Sequence, residues 1–277
     1  KKFLALVLAG MMCLSLVACG SSDAPAEAPA DDAAAEETYT VGICQLVQHV
    51  ALDAATQGFI DALNEALPGQ VEFENQNASG DIPMCSTIVN QFVASEVDLI
   101  LANATPALQA ASAATIDIPI LGTSITEYGV ALEIADFSGT VGGNVSGTSD
   151  LAPLNEQAAM LKEWFPDAKN VGLIYCSAEA NSQYQVDVVK AELEALGYTA
   201  TLYSFSDSND LAAVTESAVA ASDVIYVPTD NTVAANTGII DNICQPAGIP
   251  VIAGEEGVCA GCGVATLSIS YYDLGVA

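Results

Sequence analysis

Two groups of polar residues in this chain have the chemistry to hold a small zwitterion. Thr105 and Ser124 offer hydroxyl groups, and a helix starting at Thr105-Pro106 offers free backbone N–H groups, which suit a carboxylate. Glu179 and Asp230 offer negative charge, which suits an ammonium group. These residue types predict a binding site for an amino acid. The predicted ligand-binding residues are Gln48, His49, Thr105, Pro106, Ser124, Ser177, Glu179, Asn181, Ser182, Asp230, Asn231 and Thr232.

The same residues have structural explanations that the sequence leaves open. Thr105 and Asp230 occupy positions where such side chains cap helices, and Glu179 can be an acid in a first helical turn. His49 is the single histidine and comes directly before a predicted helix, where a cap or a hydrogen-bonded loop residue is common. Capping and ligand binding are therefore competing interpretations.

The motifs of common enzyme chemistry are missing from the sequence. It contains no G-x-S-x-G, no G-x-x-x-x-G-K-[ST] and no H-E-x-x-H pattern. Cys259-Ala-Gly-Cys262 is a lone C-x-x-C that could be a redox pair, half a zinc site or a local disulfide. No second pair and no histidine lie near it in the sequence. We expect a protein that is not an enzyme, with no catalytic residue, no metal and no cofactor.

The charge balance excludes one large class of partner. The sequence has 35 acidic residues against five basic ones, for a formal net charge of −30. Binding to nucleic acid needs lysine and arginine to neutralise phosphates, and this chain has no arginine. We therefore expect no nucleic-acid partner and interpret most of the acidic residues as a solvated surface.

The first residues have the pattern of a targeting segment. Lys1-Lys2 precede an apolar run from Phe3 to Leu14, and Leu16-Val17-Ala18-Cys19 fits a lipoprotein cleavage box. We predict a signal peptide over residues 1–19 with lipid attachment at Cys19, the alternatives being an ordinary secretory signal or a short anchor. Residues 20–38, rich in Ala, Pro, Asp and Glu, are a predicted flexible acidic linker. The protein is then expected on the extracytoplasmic face of a membrane, held by its N-terminal lipid.

Three strand-like segments occur twice in the same order, about 130 residues apart. They are Val41-Gly42-Ile43-Cys44 with Val171-Gly172-Leu173-Ile174, Asp98-Leu99-Ile100 with Asp223-Val224-Ile225, and Ile118-Pro119-Ile120 with Ile249-Pro250-Val251. Such a duplication predicts two similar lobes with a hinged cleft between them. We place the N-terminal lobe at residues 39–145 and the C-terminal lobe at 146–277, joined near the Gly-, Ser- and Thr-rich stretch 141–150.

Within each half, apolar strands alternate with helical segments, a pattern typical of α/β lobes built on parallel sheets that helices cover on both faces. Ligands of such sheets bind beyond the carboxyl ends of the strands. Six loops should therefore line the cleft, at residues 45–49, 103–106, 123–126, 177–182, 229–232 and 255–257.

Several segments resemble one family. They are Gln48-His49-Val50-Ala51-Leu52-Asp53, Ala104-Thr105-Pro106-Ala107, Gly147-Thr148-Ser149-Asp150, Val171-Gly172-Leu173-Ile174-Tyr175, Pro228-Thr229-Asp230-Asn231-Thr232 and Ile269-Ser270-Tyr271-Tyr272-Asp273-Leu274-Gly275. These look like the signature segments of ABC transporter substrate-binding lipoproteins whose characterised members bind tryptophan, phenylalanine or tyrosine.

The resemblance implies a type I periplasmic binding protein that closes its lobes on a small solute. It implies delivery of an aromatic amino acid to a membrane permease driven by a cytoplasmic ATPase, and a monomeric state. Tyr128, Tyr175, Tyr184 and Phe205 are candidate aromatic walls, and Trp164 is expected in the core. Family members continue into a further helix and strand, so we expect truncation before the last crossover. A ligand-sensing lipoprotein and a sugar or nucleoside binder of the same fold are the alternatives.

Overall fold

The computed structural model describes residues 38–277. The predicted signal peptide, Cys19 and all of the linker except Thr38 lie outside the described residues. The first half contains β1 (Tyr39–Gln45), α1 (Val50–Ala66), β2 (Val71–Asn77), α2 (Ile82–Ala94), β3 (Leu99–Asn103), α3 (Thr105–Ala114), β4 (Ile120–Ile125), α4 (Tyr128–Ala131) and β5 (Val145–Ser149).

The second half repeats this order and adds three helices. It contains α5 (Leu154–Trp164), β6 (Asn170–Cys176), α6 (Ala180–Ala195), β7 (Thr199–Phe205), α7 (Leu211–Val219), β8 (Val224–Val227), α8 (Asn231–Ala234), α9 (Thr237–Ala247), β9 (Val251–Ala253), α10 (Glu256–Cys262), β10 (Ala265–Thr266) and α11 (Tyr271–Val276).

The strands form two five-stranded parallel sheets with the same connectivity. Their orders are β2-β1-β3-β4-β5 and β7-β6-β8-β9-β10, so each strand of the first sheet has an equivalent in the second. The predicted architecture of two similar α/β lobes is confirmed. In both sheets the connections change direction beside the first strand, between β1 and β3 and between β6 and β8, which is where ligands bind in open parallel sheets.

Buried apolar strands and one repeated hydrogen bond explain why the halves fold alike. The inner strands β1 and β6 are buried from their third and second residues onward, as expected for strands covered by helices on both faces. At the start of each sheet an aspartate joins neighbouring strands. Asp98 Oδ2 accepts from the Thr40 N–H at 2.7 Å, and Asp223 Oδ2 accepts from the Asn170 N–H at 2.8 Å.

The sheets divide the chain differently from the predicted boundary between residues 145 and 146. β5 pairs with β4 and so completes the first sheet, whereas the sequence analysis assigned residues 146–149 to the second lobe. At the other end, α11 packs against α1 of the first lobe, so the chain already crosses back between the lobes. Residues 150–153 and 267–270 are thus the two connections between the lobes.

Two local features concern the helices of the second lobe. The helical segment after β8 is interrupted at Ala235 and Asn236, where the short helix α8 ends before α9 begins. Trp164, expected in the core, is 54% exposed at the end of α5. Among residues 38–277, no helix combines the length and the apolar character needed to cross a bilayer.

Helices α1 and α11 approach closely because glycine faces the contact from each side. A Cβ atom added to Gly58 of α1 would lie 2.1 Å from the carbonyl oxygen of Tyr272, and one added to Gly275 of α11 would lie 2.0 Å from that of Ala55. Backbone atoms cannot rotate away as a flexible side chain can. The contact that holds the returning chain on the first lobe therefore requires these glycines.

We predict that Gly58→Ala lowers the free energy of unfolding by about 1–3 kcal/mol, because the added methyl group must push α11 away from α1. The matched control is Gly238→Ala in helix α9, where an added Cβ meets nothing within 4 Å. That control should be neutral or stabilising by about 0.5–1 kcal/mol, since alanine favours a helix. Thermal and urea unfolding measure both, and a Gly58→Ala protein as stable as the wild type would contradict the account of this contact.

Candidate functional site

The two lobes touch where the carboxyl ends of their sheets meet. His49, between β1 and α1, contacts Asn231 at the start of α8, with 3.2 Å between Nε2 and Oδ1. Beside this contact lies a cavity of about 180 Å³ whose walls come from both lobes. It is smaller than the pockets of drug-sized ligands, which limits it to a small guest.

The walls of this cavity are chemically different on the two sides. The first lobe contributes the apolar side chains of Leu46, Val47 and Ile82. The second lobe contributes mainly polar groups, among them Glu179, Asn231 and Thr232 of the predicted site. The remaining lining residues are Ser79, Gly80, Cys176, Ala178, Ser206, Asp207, Ser208, Ala235 and Asn236.

Part of this lining was missed by the sequence analysis. Ser79 and Gly80 follow β2, and Ser206, Asp207 and Ser208 follow β7, whereas the predicted cleft loops followed only the other strands. β2 and β7 are edge strands, next to the inner strands β1 and β6. The rule that ligands bind beyond the carboxyl ends of strands would have found these residues if it had been applied to every strand.

In the first lobe, the segments that carry Thr105 and Ser124 are joined by a backbone hydrogen bond. The Ala104 N–H donates to the Thr123 carbonyl oxygen at 3.1 Å, which joins the loop before α3 to the end of β4. Thr105 is the first residue of α3 and is buried, while Ala104 is the N-cap and provides no side-chain cap, so the capping interpretation of Thr105 is wrong. The first N–H groups of a helix have no partner within the helix.

Two features of these joined segments are energetically costly. Ala104 and Ser124 have positive φ angles of 91° and 56°, a backbone region that non-glycine residues rarely adopt. Ser124 is buried, and its hydroxyl has no hydrogen-bond partner among residues 38–277. A buried hydroxyl without a partner is a donor available to a bound group.

In the second lobe, Glu179 holds the start of α8. Its Oε2 accepts from the N–H and the Nδ2 of Asn231 at 3.1 and 2.6 Å and from Asn181 Nδ2 at 3.3 Å. Its Oε1 accepts from the N–H and the hydroxyl of Thr232 at 2.9 and 2.8 Å. Glu179 is the N-cap residue of α6 but caps nothing there. Its carboxylate joins the β6–α6 loop to α8 instead.

Asp230 makes a second connection between the same two loops. Its Oδ1 accepts from the Val233 N–H at 2.9 Å, which confirms the capping interpretation, and its Oδ2 accepts from the Cys176 N–H at 2.6 Å. Burial, together with the negative charge of Glu179, raises the pKa of Asp230 to about 7. Contact of either carboxylate with an ammonium group stays a prediction.

Two further acceptors in this region are buried and unpaired. Among residues 38–277, Nδ1 of His49 and Oδ1 of Asn181 have no hydrogen-bond partner. Each belongs to a side chain linked to Glu179, His49 through Asn231 and Asn181 directly. Unpaired acceptors around a buried carboxylate form a site that suits a group with several N–H donors.

The structure separates some predicted site residues from this region. Gln48 is exposed, and Ser177 is exposed with its hydroxyl donating to the Phe205 carbonyl oxygen, on a depression shared with α7. Ser182, by contrast, stays in the region, where its buried hydroxyl accepts from Asn181 Nδ2 at 3.3 Å, and Pro106 is buried in the first turn of α3. The candidate wall residues Tyr128, Tyr175 and Phe205 belong to the hydrophobic cores, and neither they nor Tyr184 line the cavity.

The cysteines of the described chain are free thiols. Cys262 donates to the Val258 carbonyl oxygen within α10, and burial raises its pKa to about 12, as it also raises that of Cys259. A thiol with a raised pKa is a poor nucleophile and redox group. Among residues 38–277, no group of three or more His, Cys, Asp or Glu side chains is placed to hold a metal ion.

Comparison with known proteins gives a consistent result. The family described as "ABC transporter substrate binding protein" matches residues 40–277. A tyrosine-binding protein of Clostridioides difficile is 36% identical over 282 aligned residues, which cover 99% of this chain and 81% of the relative.

Two solved structures extend this likeness to three dimensions. One, from Streptococcus pneumoniae in complex with L-Trp, has a TM-score of 0.83 at 32% identity, over 87% of this chain and 82% of that one. The other, a ligand-free, open substrate-binding protein with adhesive properties from Clostridium difficile, has a TM-score of 0.60 at 37% identity, over 86% and 82%. The type I periplasmic binding protein fold implied by the sequence resemblance is confirmed.

The structural role of Glu179 leads to a direct prediction. Glu179→Gln should lower the free energy of unfolding of the ligand-free protein by about 1–3 kcal/mol, because an amide nitrogen then faces N–H donors that lose their acceptor. The control is Glu194→Gln on the exposed surface of α6, where Glu194 pairs with Lys190. This control should change stability by less than about 1 kcal/mol. Urea unfolding compares the two, and equal stabilities would show that Glu179 does not hold α8.

Proposed function

We propose that this chain, which belongs to the family of ABC transporter substrate-binding proteins, captures an aromatic amino acid between its lobes. The observation that carries the proposal is the meeting of the two sheet ends at their switch points. The first lobe has the buried, unpaired hydroxyl of Ser124, and the second has the unpaired Oδ1 of Asn181 beside the buried carboxylate of Glu179. An α-carboxylate and an α-ammonium group complement these two sides.

The carboxylate end is assigned to the first turn of α3 and to Ser124. A helix N-terminus offers free N–H groups and a positive partial charge, and α3 is a ten-residue helix that begins in this buried loop. The unpaired Ser124 hydroxyl adds a donor from the end of the neighbouring strand β4. β3 and β4 are adjacent strands, so both donors serve one anionic group.

The ammonium end is assigned to the neighbourhood of Glu179 and Asn181. Glu179 and Asp230 are both buried, and the one ion pair within residues 38–277 joins Lys190 to Glu194, so no lysine of that range neutralises them. A buried carboxylate without a countercharge is costly. A ligand ammonium would supply the charge and also donate to the unpaired Oδ1 of Asn181.

The side chain of the ligand is assigned to the cavity beside these groups. Leu46, Val47 and Ile82 give that cavity an apolar wall on the first lobe. Aromatic side chains gain most of their binding free energy by burial against such surfaces. The relatives support this class of ligand, because one is a tyrosine-binding protein and another was solved in complex with L-Trp.

In the proposed cycle the protein is held at the extracytoplasmic face of a membrane by a lipid on Cys19. The lobes close on the ligand by rotation about the connections at residues 150–153 and 267–270. The closed protein then docks on a membrane permease, which a cytoplasmic ATPase powers. In this cycle the chain performs no chemical step, which agrees with its membership of a family of transport proteins.

The proposal is tested by a thermal-shift screen of the protein against the twenty amino acids, pentoses and nucleosides. We expect tyrosine, tryptophan or phenylalanine to raise the unfolding temperature most, because only ligand binding to the folded state produces a concentration-dependent increase. Analogues without the amine, such as 3-phenylpropionate, and amino-acid amides without the carboxylate bind more weakly and should give a much smaller increase. Stabilisation by a pentose or nucleoside alone would overturn the proposal.

A substitution tests the carboxylate end separately. Ser124→Ala should weaken binding of the aromatic amino acid about tenfold, because one hydrogen bond to a charged group is lost. The control is Ser217→Ala on α7, where the exposed hydroxyl donates to the Ala213 carbonyl oxygen and does not line the cavity between the lobes. Isothermal calorimetry measures both affinities, and thermal unfolding without ligand checks that each variant is folded. An unchanged affinity in Ser124→Ala would remove Ser124 from the site.

A further inference from the structure

The orientation of the Asn231 side chain is fixed by its neighbours. Its Nδ2 lies 2.6 Å from Oε2 of Glu179, and a carboxylate oxygen accepts hydrogen bonds but cannot donate them. The amide nitrogen must therefore face Glu179. The amide oxygen then faces His49, whose Nε2 lies 3.2 Å away.

This orientation determines the tautomer of His49. An amide oxygen accepts only, so Nε2 of His49 must carry the proton of this interlobe hydrogen bond. In a neutral imidazole the other nitrogen, Nδ1, then has a free lone pair. Nδ1 is buried without a partner among residues 38–277, and although His49 is the N-cap residue of α1, its side chain accepts no N–H of that helix.

The environment of the ring favours the neutral form. Asp53 of α1 and Glu179 of the β6–α6 loop face His49 and favour its protonation, as does its hydrogen bond to Asn231. Burial outweighs them and lowers the pKa of His49 below its ordinary value. Asp230, whose carboxyl lies beside Glu179, is the other acid of this cluster. The ring is thus a neutral donor–acceptor pair with its acceptor side unused.

We propose that His49 contacts the ligand and the second lobe with the two nitrogens of one ring, accepting from the ligand ammonium at Nδ1 while donating to Asn231 at Nε2. The inference rests on the proposed amino-acid ligand. It identifies the residue of the first lobe that recognises the ammonium group of that ligand. Asn181, with its unpaired Oδ1, accepts from the same ammonium on the other side of the cleft. His49 is then a specificity-determining residue that joins amine recognition to lobe closure.

His49 is the single histidine of the sequence, so one labelled residue reports on the whole proposal. The experiment is nitrogen-detected NMR of protein prepared without a histidine tag and labelled with ¹⁵N-histidine, titrated with L-tyrosine. At a pH just below the ordinary histidine pKa of about 6.5, we expect the ring to be neutral, with its proton on Nε2. As L-tyrosine binds, the Nδ1 signal should move toward the position typical of a hydrogen-bonded nitrogen. Three results would overturn the inference. They are a proton on Nδ1, a charged ring in the complex at neutral pH, and an Nδ1 signal that does not shift when L-tyrosine is added.

A variant adds a second readout. His49→Gln can keep an amide donor near the position of Nε2 but has no acceptor at Nδ1, so L-tyrosine affinity should fall about tenfold or more. The same substitution should leave the weak binding of 3-(4-hydroxyphenyl)propionate, which has no amine, unchanged. An equal loss for both ligands would assign His49 to closure alone and contradict the amine contact.

Different results would contradict the proposed function and the proposed role of His49. If L-tyrosine raises the unfolding temperature but leaves the Nδ1 signal unmoved, this inference falls and the proposed function stands. If no amino acid raises the unfolding temperature, the proposed function falls and this inference falls with it.

Discussion

The buried carboxylate of Glu179 is the interaction on which the candidate site depends. It accepts hydrogen bonds from the first two residues of α8 and from Asn181 in the first turn of α6, and so fixes three residues around one negative charge. Because Glu179 accepts a hydrogen bond from Asn231 Nδ2, the amide oxygen of Asn231 is the atom that faces His49 across the cleft. The hydrogen-bonding pattern at the lobe contact is therefore a consequence of one desolvated acid. Such an acid is costly to bury, and its cost is offset only when its donors and a countercharge are in place.

The duplicated fold explains why the chemistry divides between the lobes. Both sheets have the same strand order, so each presents the same crevice beside its first strand. In the first lobe this crevice holds the start of a ten-residue helix and the unpaired Ser124 hydroxyl. In the second lobe the equivalent crevice holds Glu179 and Asp230. One lobe offers donors and the other offers negative charge, although the backbone that positions them is the same.

The sequence predicted the fold and the site's location better than its contacts. Continuous apolar strands and the repeat at about 130 residues were enough to predict two parallel-sheet lobes, because burial on both faces leaves a clear pattern. β5 was not predicted, since its residues Val145–Ser149 are rich in Ser, Gly and Thr and mostly exposed. The roles of Glu179 and Asn231 were out of reach because the residues are 52 positions apart and meet only through tertiary packing. Thr105, Ser124, Asn181 and Asn231 lie where the strand-end rule put them, while Gln48 and Ser177 follow the same strands but are exposed.

The most direct test of the central claim is a crystal structure of the protein with L-tyrosine. The account predicts that the ligand lies between the lobes, with its carboxylate within about 3.2 Å of the first N–H groups of α3 and the Ser124 hydroxyl. Its ammonium should lie within hydrogen-bonding distance of Asn181 Oδ1. A ligand bound outside the interlobe cleft, or one whose carboxylate points toward Glu179, would contradict the account.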